Sequence, residues 1–222
     1  MRVNSTYKEA FIPSISLFPD PSEANDDGLL CYGGSLEPEI LLAAYQSGIF
    51  PFYCEGQPVL WWSPDPRMVL FPHDFYCSKR LARRLAQARY RLTHNEDFSA
   101  VIHACAAPRH DDDDQHNAWL LPEMITAYTR LHQLGHAHSF EVWCNDTLIG
   151  GLYGVLQCGI FFAESMFHTQ RDGSKMAMAS MVDTAKAQGW KLIDCQFHTE
   201  HLASMGAKTI PREQFLHYVR GE

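Results

Sequence analysis

The chain of 222 residues carries 46% hydrophobic, 12% aromatic and 20% charged side chains, enough apolar material for a folded core, which excludes a disordered or low-complexity protein. Its formal net charge of −8 argues against generic nucleic-acid coating, which needs cations spread along a surface. No apolar run approaches the roughly 18 residues a membrane helix requires, MRVNSTYKEA at the start is too polar for a signal peptide, and seven cysteines without a CxxC pair fit the reduced thiols of a cytoplasmic protein.

In chain order, residues 11–36 are rich in Pro, Gly, Asp and Ser and read as loop, with Leu29-Leu30-Cys31-Tyr32 a short strand. Pro38 suits a first helical turn and Gly48 a stop, so a helix is expected to about Ser47. The span GIFPFYCEGQPVLWWSPDPRMVL (48–70) holds prolines 51, 58, 64 and 66 and cannot be a long helix. It reads as strands and turns that present aromatics and end a small N-terminal domain near residue 70. Next comes CSKRLARRLAQARYR (77–91), with six of the chain's 18 Lys and Arg: Lys79, Arg80, Arg83, Arg84, Arg89 and Arg91. Ser78 as N-cap and the Leu81/Leu85 stripe predict a basic helix. Its like-charge pairs at i,i+4 cost helix stability, which either an anionic partner or a solvated face would explain.

A strand at Tyr90–Thr93 and a helix around Phe98–Ala106 follow. RHDDDDQHN (109–117) has the residue types of a metal site. Four adjacent Asp side chains in a loop do not by themselves converge on one ion, however, and a solvated insertion is the favoured reading. Pro122 opens a helix with apolar residues at 124, 127, 128, 131 and 134, closed by Gly135. Strands at Phe140–Cys144 and Leu148–Leu156 flank a tight Asn145-Asp146 turn, and Gly159 turns the chain into a strand at Ile160–Phe167. A helix from near Ser174 to Gly189, a buried strand at Lys191–Cys195 and a last helix over Glu200–Met205 complete the pattern. That β-β-β-α-β-α order resembles the GNAT acyltransferase architecture. The expected fold class is therefore α+β: a small N-terminal α/β domain over residues 1–70, then a GNAT-like acyltransferase domain over 71–222 with a mostly antiparallel sheet.

Three segments carry candidate chemistry. Glu164 lies in FFAESMF (161–167), where a carboxylate is costly unless it is paired or meets a cation; a solvent-facing place on an alternating strand is the plain alternative. Asp194 and Gln196 stand two apart at a strand end, so their side chains should share a face and the carboxylate could orient the carboxamide; an ordinary strand end is the alternative. Tyr45, Phe50, Phe52, Trp61 and Trp62 could stack on a base, line an apolar pocket, or simply fill a domain interface.

The runs GLLCYGGSLEPEILLAAYQSGIFPFY, GQPVLWWSPDPRMVL, LHQLGHAHSFEVW, LIGGLYGV, FFAESMF, Ser174-Lys175, LIDCQ and HLASMGAKTIPR follow one another over nearly the whole chain. In these the sequence resembles the leucyl/phenylalanyl-tRNA–protein transferases of bacteria. The resemblance implies transfer of Leu or Phe from an aminoacyl-tRNA to proteins with N-terminal Arg or Lys, marking them for N-degron-dependent degradation. The reaction is aminolysis of an ester and implies no metal and no cofactor. On the family's pattern Gln196 accepts a hydrogen bond from the attacking amine, Asp194 orients Gln196, and Glu164 meets the cationic acceptor. Leu152, Phe161, Met181 and Ile193 correspond to the Leu/Phe pocket. Trp61, Trp62 and Trp119 would hold the tRNA 3′ end, and Lys79, Arg80, Arg83 and Arg84 its phosphates. Asn117-Ala118-Trp119 stands where the family pattern has Gly-Thr-Trp. An enzyme using acyl-CoA through QRDGSKMA (170–177), a non-enzymatic reader of basic N-termini and a metal hydrolase are the alternatives; no HExxH or similarly spaced ligand set supports the last.

Overall fold

The computed structural model describes residues 17–107 and 120–222. In chain order the elements are β1 (Leu29–Tyr32), α1 (Pro38–Gln46), β2 (Phe50–Pro51), β3 (Leu60–Trp62), β4 (Arg67–Leu70), α2 (Lys79–Leu85), β5 (Tyr90–His94), α3 (Phe98–Ala106) and α4 (Pro122–Gln133). Then come β6 (Ala137–Cys144), β7 (Thr147–Gln157), β8 (Ile160–His168), α5 (Gly173–Gln188), β9 (Leu192–Gln196), α6 (Glu200–Ala203), β10 (Lys208–Ile210) and α7 (Arg212–Arg220). A small antiparallel sheet has the order β1-β3-β2, and a seven-stranded sheet runs β10-β4-β9-β8-β7-β6-β5. Every neighbouring pair in the large sheet is antiparallel except β8 and β9. The expected mixed, mostly antiparallel architecture is the one observed.

The central strands of the large sheet are buried on both faces, and their apolar residues alternate accordingly. Tyr153, Phe162 and Leu192 point into a core shared with Leu41 and Tyr45 of α1, Val101 of α3, Tyr128 of α4 and Phe215 of α7. Their neighbours Leu152, Phe161 and Ile193 point the other way, into a core with Leu81 of α2 and Met178, Met181 and Val182 of α5. The Asn145-Asp146 turn is present, with φ of 47° and 63°, the left-handed pair that suits a two-residue hairpin. At the start of α5 the helix lies on β7 at backbone contact. A Cβ on Gly150 would sit 2.4 Å from the carbonyl carbon of Gly173, so only glycine allows this approach.

Four features depart from the sequence reading. The basic helix ends at Leu85; Ala86 caps it, and Arg91 is already on β5. β6 starts at Ala137, three residues before the expected Phe140. Beyond Gly206 the chain adds β10 and then α7, whose Phe215, Leu216 and Val219 are buried; the apolar spacing after Pro211 is the signal that points to this helix. Finally, β4 precedes residue 71, yet it pairs with β9 and β10 of the large sheet. Trp119 and the Asp111–Asp114 run lie outside the described residues.

Candidate active site

β8 and β9 pair only over three rows, Ile160–Phe162 against Leu192–Asp194. Beyond them β8 continues to His168, while β9 ends at Gln196, whose φ of 63° turns the chain away. A cleft of about 1250 Å3 opens between the diverging strands. Glu164, Ser165 and Met166 line one wall, Gln196 and Phe197 the other, with Leu152 behind and Phe52 at the small-sheet side.

Glu164 accepts three side-chain hydrogen bonds in the cleft. Its Oε1 accepts from the Tyr45 hydroxyl at 2.8 Å and from Gln196 Nε2 at 3.0 Å, and its Oε2 accepts from the Tyr128 hydroxyl at 2.9 Å. The two phenol oxygens are 2.7 Å apart. Burial pushes the Glu164 carboxyl up to about 7, and the nearby Asp194 charge adds to this; the two phenol hydrogen bonds and the Arg67 charge oppose it. Burial, followed by the Glu164 charge, holds both phenols well above the usual range, so they stay protonated donors. Tyr45 reaches Glu164 from α1 and Tyr128 from α4 because both helices pack on the same face of the sheet.

Asp194 is placed differently from the expectation. It is fully buried, and its two oxygens accept from Arg67 Nε at 2.8 Å and Nη2 at 2.6 Å. Its Oδ1 also accepts from the backbone N–H of Gln196 at 3.0 Å. It therefore grips Gln196 through the main chain and not through the carboxamide, which the left-handed φ of Gln196 swings to Glu164. The rule that residues two apart share a face fails because Gln196, the last residue of the strand, takes a left-handed φ that breaks the alternation. Cys195, also on the cleft wall, is held as a thiol by burial and by the Asp194 charge.

The other sequence-derived residues divide. Leu152 lines the cleft, whereas Phe161, Met181 and Ile193 lie in the packed cluster that backs it, fully buried. Phe161 stacks on Trp190 at 5.2 Å between centroids. Trp61 is only 2% exposed, packs edge-on against Phe18 and donates to the Gly33 carbonyl; the structure places it in the core of the small sheet, with no free ring face. Trp62 is half-buried and, with Phe52, abuts Phe197 at the cleft mouth. On α2, Lys79 and Arg83 are exposed. Arg84 instead donates to the Arg171 carbonyl at 2.6 Å and pairs with Asp172 at 3.2 Å, and Arg80 lies 3.9 Å from the same carboxylate. The sequence reading missed Arg67 and the hydroxyl role of Tyr45, and it took Tyr128 only as part of a helical stripe. A tyrosine at an apolar helix position carries no local mark of where its hydroxyl points.

The cleft thus lies between the two parallel strands of a mostly antiparallel sheet, with a carboxylate and a carboxamide hydrogen-bonded to each other across it. Two family models match the chain: the leucyl/phenylalanyl-tRNA protein transferase domain over residues 69–220 and the N-terminal domain of the same family over 34–65. A leucyl/phenylalanyl-tRNA–protein transferase from an Anaeromyxobacter species is 51% identical over 205 residues, covering 92% of this chain and 86% of the relative. One from Chromobacterium violaceum is 49% identical over 202 residues, covering 90% and 85%. Among solved structures, a GCN5-related N-acetyltransferase from Kribbella flavida is similar at a TM-score of 0.36 and 12% identity, covering 78% of this chain and 60% of that one. The chain belongs to the leucyl/phenylalanyl-tRNA protein transferase family.

Proposed function

We propose that this protein moves leucine or phenylalanine from aminoacyl-tRNA to the N-terminal Arg or Lys of acceptor proteins, in the cytoplasm, so that the products carry destabilising N-termini. Methionine is admitted by the same apolar pocket, since such a pocket separates close isosteres poorly. The observation that carries the reading is the Glu164–Gln196 pair at the base of the cleft, in a chain of this family.

The donor is an activated ester, so the site must place an amine against its carbonyl and manage one proton. The acceptor amine arrives as an ammonium. Because Gln196 Nε2 is committed to Glu164, its Oε1 is the atom offered to the amine. Glu164, Tyr45 and Tyr128 form three short oxygen contacts. Two phenol protons satisfy two of them while Glu164 is ionised, and a third proton, taken from the ammonium, completes the ring. The neutral amine then attacks the carbonyl carbon and the bond to the ribose 3′ oxygen breaks. The proton lost by the new amide nitrogen ends on that oxygen.

Leu152 and Met166 would contact the donor side chain, with Phe161, Met181 and Ile193 holding the wall behind them. Trp62, Phe52 and Phe197 would receive the terminal adenosine. Lys79 and Arg83, with Arg80 and Arg84 beside them, would lie along acceptor-stem phosphates, contacts that position without reading sequence. The test is transfer of labelled leucine from charged tRNA to peptides beginning with Arg, Lys or Ala. Label on the first two only is expected; label from acyl-CoA alone, or on no peptide, overturns the reading.

A further inference from the structure

Arg67 is fully buried and lies between the stretches matched by the two family models, 34–65 and 69–220. Its guanidinium carbon is 4.6 Å from the centroid of Phe50 and 4.5 Å from that of Phe215. One ring belongs to the small sheet and the other to the last helix, so the plane of the fork is set by two elements outside the large sheet. Nε and Nη2 meet the two Asp194 oxygens side by side. This bidentate geometry fixes the carboxylate plane as well as its position. Asp194 Oδ1 then holds the Gln196 N–H, and Gln196 sits at φ 63°, a backbone state that a non-glycine residue keeps only when its surroundings impose it. The chain of contacts ends with the Gln196 carboxamide on Glu164.

We propose that Arg67 is a positioning residue of the transfer reaction: it locks Asp194 so that the Asp194–Gln196 main-chain turn aims the Gln196 carboxamide into the cleft. The inference rests on the reading above that Gln196 and Glu164 meet the attacking amine. It gives Asp194 a specific part. The Asp194 charge is matched by Arg67 and its oxygens are taken up by three hydrogen bonds, so it works as a strut and not as a proton acceptor.

The strut and proton-acceptor roles separate in a double-variant cycle on the full chain. Arg67→Met leaves Asp194 buried without its cation, and Asp194→Asn leaves Arg67 without its anion. Each is expected to lower kcat about 100-fold, the scale of an ångström-sized misplacement, with KM for charged tRNA changed less than threefold. The pair Arg67→Met with Asp194→Asn removes both charges together, while the introduced amide oxygen can still accept from the Gln196 N–H. It should recover at least tenfold over either single variant, and Arg67→Lys, which keeps the charge without the fork, should fall between wild type and Arg67→Met. A folded Arg67→Met enzyme, checked by circular dichroism and melting, with wild-type kcat overturns the proposal; should that variant not fold, wild-type kcat in Arg67→Lys overturns it. A double variant as inactive as Asp194→Asn also overturns it and returns Asp194 to a direct part in proton transfer. Wild-type kcat in Gln196→Ala would instead remove the underlying assignment of Gln196, whatever the Arg67 variants do.

Discussion

Two charged regions of the molecule contrast sharply. Where β8 and β9 diverge, Arg67 and Asp194 are completely buried and Glu164 is half-buried, and the described charges meet partners at fixed distances. On α2 the cations stand in or near water, two of them loosely gathered by Asp172. In the first region a charge acts by geometry: taking one partner away leaves another stranded in low dielectric. In the second, a charge acts through its field, which salt screens within about 10 Å. The same residue types therefore predict different kinds of loss.

The sharpest way to break this comparison is Gln196→Ala. If the cleft works by geometry, kcat falls about 1000-fold while affinity for charged tRNA, measured by filter binding, stays near wild type; equal losses in both would make Gln196 part of tRNA binding. Glu164→Gln comes next, at about 100-fold in kcat, because the amide cannot take up the third proton of the oxygen ring. A kinetic pH profile sharpens this. The wild-type rate should climb with pH through an apparent value about 7, where Glu164 ionises, and the variant should lack that limb. Leu152→Ala is expected to cost about tenfold in kcat/KM for the leucyl donor, read against a donor carrying Phe. For the field-acting region, Lys79→Ala with Arg83→Ala should raise KM for tRNA several-fold at low salt. It should also make the log–log salt dependence shallower by about two units; an unchanged slope would remove both residues from the phosphate contacts.

The smallest expected effect is on stability. Glu164 has its folded value at about 7 against 4.5 unperturbed, so between those values the native state binds more protons than the unfolded chain. Its contribution to stability is present below about pH 4.5 and declines as pH rises through about 7. Melting curves across that window should flatten in Glu164→Gln, and an unchanged slope would place the titration on another group.

The segments with a regular period were legible in the sequence. The Asn145-Asp146 hairpin, the helix opened by Pro122 and the helix closed by Gly189 follow from turn chemistry and apolar spacing that neighbouring residues alone supply. So was the candidacy of Glu164 and Gln196, which the structure brings together in the cleft, because a carboxylate between phenylalanines and a family motif at a strand end are local features. Trp61 and Trp62 show where such reading stops. Adjacent and identical, they have opposite fates, since strand alternation puts one ring into the core of the small sheet and leaves the other near the cleft.

By itself the sequence determined most of the elements, the family and two of the residues on which the proposed chemistry turns. Only the tertiary structure decided what those residues touch. Arg67 and Asp194 are 127 positions apart, and Tyr45 and Glu164 are 119 apart. Their contacts arise because β4 inserts beside β9 and because α1 and α4 pack on one face of the sheet. Hydrogen bonds between side chains so distant along the chain leave no periodicity to read. They exist only once burial has removed water as the competing partner and left each polar group with the neighbours the fold provides.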